Sequence, residues 1–454
     1  MEGGKGGQIA SMKDILESYI EGINHKGRPY TEYEGKKIYI KYGVPGDRVK
    51  IKVIPIKKGR RGVEYWGDII DIIEGSRWRV EPKCKYFGLC GGCSFQNIDY
   101  NYQLEYKKKI VEKMFKKFDL DVEVFDPIPS PKIWFYRNRM DHPVGWGQER
   151  PIIGLKVYGR WDLVVDLDEC YLESPESIEI IKIVKEFMKD YDIKPYDLIK
   201  HKGFMRYVVI REGKYTGDRL VSLVTNKGGF VGLDELVNRL KDYVTGIVWS
   251  INPKLTDLSI GEEVIGVYGR DYLTEIVGGI KYYIHPNAFF QTNSYQANRL
   301  VQLAKKFSSG GEYLLDVYSG VGLFSYSLMD RYDKVVSIEV DEYSIYSAEV
   351  NKKWLKADKV SIIEARAEDW LPRISYKPDT VIVDPPRPGL SRIVKEELKR
   401  IKPSEILYFS CNPKSMARDI YILSDEFSID GPILPIDMFP HTPHIEVFAR
   451  LISR

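Results

Sequence analysis

"EYLLDVYSGVGLF", residues 312–324, decides the fold. A short apolar run closes on Asp316-Val317, turns through Gly320 and Gly322, and passes into a helical pattern. Strands buried on both faces read as continuous apolar runs rather than as alternations. The same grammar returns in "KVVSIEVD" (334–341), "KVSIIEA" (359–365), "DTVIVDPP" (379–386) and "EILYFSCN" (405–412), with helical segments between. Strand alternating with helix predicts a parallel sheet covered on both sides. Residues 286–454 are therefore expected to form a doubly wound, Rossmann-like α/β domain.

The ends of these strands carry the chemistry. In open parallel sheets, ligands lie outside the carboxyl ends of the strands, where glycines let the backbone come close. Position 325 is Ser, so the phosphate fingerprint G-x-G-x-x-G is incomplete. Glu339 ends the second strand, where an acid can take two ribose hydroxyls. Asp384 precedes a stiff Pro385-Pro386 turn at another strand end. Acids and a glycine turn without a phosphate anchor fit a zwitterionic cofactor, S-adenosylmethionine.

Cys411 ends the last strand of the series, on that same edge. A buried structural thiol is the ordinary reading of a lone cysteine, but at this edge a thiolate faces the ligand crevice and can serve as a nucleophile. "FPHTPHIEVF" (439–448) adds Glu446 inside an apolar strand, with His441 and His444 on the turn before it. Carboxylates are rarely placed in such runs without a reason. Carbon methylation of a pyrimidine combines these pieces. A thiolate adds at C6, the now enolate-like C5 takes a methyl group, and a carboxylate removes the C5 proton so that the thiolate leaves.

"DVYSGVGLFS", "VDPPRPGL", "SCNP" and "HTPHIE", in that order, resemble the RNA uracil-5-methyltransferases. The likeness extends to "NAFFQTNSYQA" (287–297) and covers nearly the whole chain, most weakly at 180–285. It implies that Gln291, Tyr318, Glu339 and Asp384 contact the cofactor, that Cys411 is the nucleophile, and that Glu446 is the base. It also implies an RNA substrate, with the T-loop uridine at tRNA position 54 as first choice and a 23S ribosomal uridine as the alternative. A non-catalytic RNA-binding protein is the distant alternative. An amine methyltransferase fits less well, because Arg387 stands where an Asp-Pro-Pro-Tyr motif has its aromatic residue.

The rest of the chain divides in two. Between Lys36 and Arg61 there are ten Lys or Arg and one acid, Asp47, in period-two alternation around a Pro-Gly-Asp turn. Residues 16–76 are expected to form a small antiparallel β-barrel with a basic face suited to a phosphate backbone. Its proposed contacts include Lys57, Lys58, Arg60 and Arg61. This module resembles the TRAM domain, an OB-like RNA-binding barrel that precedes many of these enzymes. Residues 77–285 mix strand-like and helical runs and predict a central α+β RNA-binding domain.

That domain holds "CKYFGLCGGCSF" (84–95), with Cys84, Cys90 and Cys93, and later Cys170. A tight cysteine triplet in an intracellular protein indicates a metal rather than disulfides. The spacing leaves zinc and a [4Fe–4S] cluster both open. The resemblance implies the [4Fe–4S] cluster, pinning the RNA-binding region.

With 454 residues, 43% hydrophobic and 29% charged, the chain has room for about three domains. Its net charge of +3 excludes nothing. Lys13, Asp14 and Glu17 interrupt the amino-terminal stretch, and no run approaches the roughly 20 apolar residues of a membrane span. A cytoplasmic protein is expected, with no membrane association and no obligate protein partner implied.

Overall fold

The structure is a computed structural model and describes residues 14–57 and 62–454, the Lys57 side chain excepted. The expected contacts Lys57, Lys58, Arg60 and Arg61 thus lie outside the described side chains. Two compact units are present. The first takes the chain up to Gly88, Cys93–Tyr106 and His441–Pro443; the second holds Leu89–Gly92, Lys107–Pro440 and His444–Arg454.

In the first unit six strands form one sheet, in the order Ile15–Tyr19, Arg48–Lys57, Val63–Glu74, Lys36–Ile40, Pro29–Tyr33 and Gly22–Ile23. All neighbours are antiparallel except Lys36–Ile40 beside Val63–Glu74. Alternation puts Ile38, Ile40, Val49, Ile51 and Val53 in the core and leaves Lys37, Lys50 and Lys52 exposed. Strand pairing changes the charge of that face. Lys50 sits opposite Glu17 on one side and Asp71 on the other, and Lys52 opposite Asp68. Arg48 pairs with Glu17, and Lys37 with Glu32 at 3.2 Å. A count along one stretch of chain misses acids that arrive from neighbouring strands. Asp47, the one acid in the basic stretch, is buried and accepts from Val44 N at 2.7 Å and Arg79 Nε at 3.0 Å. It holds the turn.

The second unit contains two large sheets. A seven-stranded sheet runs Glu263–Gly269, Gly246–Ile251, Arg219–Thr225, Met205–Glu212, Arg139–Trp146, Pro151–Lys156, Val164–Asp166. Helices Pro175–Asp190 and Leu233–Leu240 supply Ile181, Val184, Phe187 and Leu236 to its core.

The eight-stranded sheet begins Val360–Glu364, Tyr332–Glu339, Gly311–Val317, Thr380–Val383, Glu405–Ser410, all parallel. Strand order reverses between Gly311–Val317 and Thr380–Val383, which makes the crevice at their carboxyl ends the place for a ligand. Glu446–Ser453 then adds antiparallel to Glu405–Ser410, and Phe427–Ile429 and Leu434–Ile436 pair with it in turn. Leu314 packs into one core cluster and Leu315 into another, as a sheet covered on both faces requires.

Hairpin strands Leu273–Val277 and Ile280–Ile284 turn through Gly278 and Gly279 at φ 63° and 82°, conformations that glycine adopts without strain. Leu273, Val277, Tyr282 and Ile284 share one core with Leu314 and Ile382, although they precede residue 286. Helix Tyr100–Lys116 likewise gives Val111 and Phe115 to the other face of this sheet. Among the described residues no helix is long and apolar enough to cross a membrane.

Candidate active site

Backbone register assembles the site. Glu405 to Ser410 face Ile452 to Val447 in antiparallel order, so one more step puts Cys411 across from Glu446. On the other side Val383 aligns with Tyr408 and Val317 with Ile338 in parallel order. Tyr318, Glu339 and Asp384 therefore leave their strands at one level. Residues far apart in the chain meet along one sheet edge.

Local sequence fixes each of them. After Gly311–Val317 the chain turns at Tyr318, which has φ 66°, a left-handed conformation rare for a non-glycine residue. Tyr318 N and Ser319 N both donate to Ile338 O, at 3.0 and 3.1 Å. Gly320 N donates to Glu339 Oε2 at 2.8 Å, and Val340 N and Asp341 N donate to Glu339 Oε1 at 2.7 and 2.9 Å. Gly322 caps the following helix at φ 86°. Gln291 enters from outside the sheet: its Nε2 donates to Asp384 Oδ2 at 2.9 Å. Asn138 holds Gln291, donating from Nδ2 to its carbonyl at 2.8 Å. Asn412 caps helix Pro413–Leu423, and its Nδ2 donates to Arg387 O at 2.9 Å. The Cys411 turn and the Pro-Pro-Arg turn are thereby tied together.

Electrostatically the site is a crowd of acids. Burial and the nearby Asp316 charge push Asp384 up to about 7, against the Gln291 hydrogen bond. Burial raises Asp316 to about 6, with Glu339 adding to it and Ser325 opposing. Glu446 is buried and pushed well above the usual carboxylate range by desolvation and by Asp384. Burial and the charges of Glu446 and Asp384 push the Cys411 thiol up to about 11, while Arg387 pulls it down. His444 is lowered to about 4 by burial and by the cations Arg387, Lys107 and Arg137, which keeps it neutral. Asp316 Oδ1 and Glu446 Oε1 are buried with no hydrogen bond among the described residues. Buried acceptors left open at one place mark a position for a ligand, and a cationic group set among Asp316, Glu339 and Asp384 would relieve their repulsion. The donor and acceptor set fits S-adenosylmethionine, which carries an ammonium and a sulfonium.

Sequence reading picks out Gln291, Tyr318, Glu339, Asp384, Cys411 and Glu446, and the structure brings all six to this edge of the second unit. His441 belongs to the first unit, where its Nδ1 lies 3.3 Å from Gln103 Nε2. Sequence reading did not single out Asn138 as the support of Gln291, nor the open oxygen of Asp316. The run "FYRNRM" (135–140) carries no local signal for the former, because the contact spans distant chain.

Cys84 and Cys93 lie in the first unit, Cys90 and Cys170 in the second. Four thiols are the donor chemistry that a thiolate-bound cluster requires. Among the described residues no group of three or more His, Cys, Asp or Glu is assembled for a metal. Gly91 N donates to Lys156 O at 2.9 Å, so the segment between Cys90 and Cys93 is fixed by backbone contacts within the second unit.

Known proteins share this sequence and architecture. A family model described as tRNA (uracil-5-)-methyltransferase matches residues 267–454. A tRNA (uracil(54)-C(5))-methyltransferase of Pyrococcus horikoshii is 42% identical over 418 residues, 91% of this chain and 95% of that protein. An uncharacterised RNA methyltransferase of Nanoarchaeum equitans is 41% identical over 435 residues, 95% of this chain and 92% of that protein. The crystal structure of Pyrococcus abyssi tRNA (uracil-54, C5)-methyltransferase in complex with S-adenosyl-L-homocysteine aligns with a TM-score of 0.79 at 34% identity, covering 96% of this chain and 99% of that one.

Proposed function

Because this chain belongs to the tRNA (uracil-5-)-methyltransferase family, we propose that it methylates C5 of a uridine in tRNA, at position 54 of the T-loop. The observation that carries the chemistry is the register that sets Cys411 across from Glu446, with Asp384 on the adjoining strand.

S-adenosylmethionine, when bound, supplies an electrophilic methyl group; Gln291, Tyr318, Glu339 and Asp384 are the residues proposed to hold it. Cys411 must first lose its proton. Its neighbours Glu446 and Asp384 oppose this and Arg387 favours it, so the proton passes to solvent more readily once a bound cation offsets the two carboxylates, and Glu446 stays ionised for its later step. The target base leaves its stack to reach the strand end, at a cost of about a few kcal/mol. The Cys411 thiolate then adds to C6, and C5 becomes nucleophilic and takes the methyl group. Glu446, open at Oε1, accepts the C5 proton, and the thiolate is expelled.

The six-stranded module is proposed to be a TRAM-like RNA-binding barrel. With Lys50 and Lys52 faced by acids, its phosphate contacts are assigned to Lys57, Lys58, Arg60 and Arg61. The four cysteines are proposed to bind a [4Fe–4S] cluster with a structural role, since three of them form a tight triplet and the methyl transfer needs no electron. Iron and acid-labile sulfide assays on anaerobically purified protein test this against zinc. The substrate assignment is tested by incubating total tRNA and ribosomal RNA with labelled cofactor and mapping the product. Label at uridine 54 is the expected result, and label confined to 23S RNA overturns the tRNA reading.

A further inference from the structure

Helix Tyr100–Lys116 carries a charge into the protein interior. Lys107 Nζ lies 2.5 Å from Asp437 Oδ1, and both side chains are fully buried. The ammonium also donates to Phe439 O at 3.0 Å. An ion pair this deep is weak evidence for stability, since apolar residues of similar volume often serve the fold as well or better. Its position suggests another use. Asp437 directly follows Ile436, which is the residue registered opposite Glu446 in the neighbouring strand.

The loop that Lys107 grips is held from other sides as well. Gln296 Nε2 donates to Asp437 O at 2.9 Å, Asn293 Nδ2 to Met438 O at 3.1 Å, and the Tyr136 hydroxyl to Pro440 O at 3.1 Å. Asp437 N donates to Ile128 O at 2.9 Å. Asn293 stands two residues beyond Gln291, so the proposed cofactor loop and the Glu446 neighbourhood share one support. Among these holds, only Lys107 carries a charge.

We propose that Lys107 is a positioning residue for proton removal: through Asp437 it fixes Ile436 beside Glu446 and so sets where the carboxylate meets C5. This rests on the reading of Glu446 as the base. It predicts a defect confined to the step after methyl transfer, because addition of Cys411 needs no carboxylate in that place. The ammonium touches no reacting atom; besides its hold on Asp437 and the loop, its charge helps to keep His444 neutral.

Lys107→Met alone leaves Asp437 buried without its ammonium and risks misfolding, so the test uses the double variant Lys107→Met/Asp437→Leu alongside it. The double variant is expected to fold, to bind RNA with unchanged Kd, and to form the covalent adduct with 5-fluorouridine RNA at the normal rate. Its kcat should fall about 10- to 100-fold, the size of effect that a small misplacement produces, with methylated RNA accumulating on Cys411. Unchanged turnover, or adduct formation slowed in proportion to turnover, overturns the inference. Glu446→Gln is the control. If that variant does not hold methylated RNA covalently, the base assignment is what has failed. If it does and the folded double variant does not, the role of Lys107 alone is refuted.

Discussion

The two ends of the eight-stranded sheet treat their carboxylates in opposite ways. At the amino end, buried Glu405 accepts from Ser309 N at 2.7 Å, Thr380 Oγ1 at 2.7 Å, and Arg450 Nε and Nη2 at 2.8 and 2.6 Å. Asp379 Oδ2 there takes Glu312 N and Tyr313 N at 2.7 and 2.8 Å. At the carboxyl end, Asp316 and Glu446 each keep a buried oxygen unbonded among the described residues. Asp316 raises the proton affinity of Asp384, and Asp384 that of Glu446, where a cation would have neutralised them. The difference sets Glu405 and Asp379 apart from Asp316 and Glu446: the first two are saturated and hold strands together, while each of the second two keeps an oxygen open for a ligand or a proton.

Deleting the nucleophile gives the sharpest contrast. Cys411→Ala should reduce methyl transfer to background, a loss on the order of 10⁶-fold as for other deleted nucleophiles, with binding of labelled cofactor retained. Near-normal methylation in this variant would show that Cys411 is a structural thiol after all.

Next in size is Glu446→Gln. General-base loss typically lowers turnover by about 10²–10⁴-fold. The variant should methylate the base and then stall, giving a slow band on a denaturing gel that carries both RNA and labelled methyl. Because a negative neighbour raises the thiol, its removal should also shift adduct formation with 5-fluorouridine RNA to lower pH. An adduct that never forms moves the base role to His444.

At the other end of the sheet the same kind of change should act on stability alone. Glu405→Ala leaves Ser309 N and Thr380 Oγ1 without this acceptor, while Arg450 keeps Asp430, and is expected to cost about 1–3 kcal/mol, as losing a buried partner does, read as a lower denaturation midpoint. The protein that remains folded should keep its kcat. A selective loss of kcat would break the comparison.

The smallest effect concerns pH. Asp384 and Asp316 hold their protons longer in the folded chain than when unfolded, being raised to about 7 and about 6. Their contribution is therefore complete below pH 4 and is lost as pH rises from 4 to 7. Cofactor-free protein should lose stability steadily across that window, in the direction set by the two raised carboxyls. Asp384→Asn should flatten the slope, and a slope of the opposite sign would remove the argument from repulsion.

Much of this molecule is written locally. Five continuous apolar runs, four of them leading to Asp316, Glu339, Asp384 and Cys411 and the fifth at Val360–Glu364, fix five parallel strands and the edge on which they end, because strand burial and strand direction are properties of short stretches. The alternation in residues 36–54 likewise determines a small sheet with its lysines outward. What the lysines face is not local. Lys50 and Lys52 meet Glu17, Asp68 and Asp71 only through strand pairing. The carboxyl-terminal strand shows the same limit: nothing in "HIEVF" states that Glu446 pairs at the level of Cys411, since a one-residue slip would turn it to the opposite face. In "YKKKIVEK" (106–113) one lysine of three adjacent ones is buried, and the choice of Lys107 depends on Asp437 arriving from the far end of the chain. Sequence by itself determined which residue types could do the chemistry and on which edge. Register, burial and long-range charge pairing, which are cooperative properties of the packed chain, decided which of them meet.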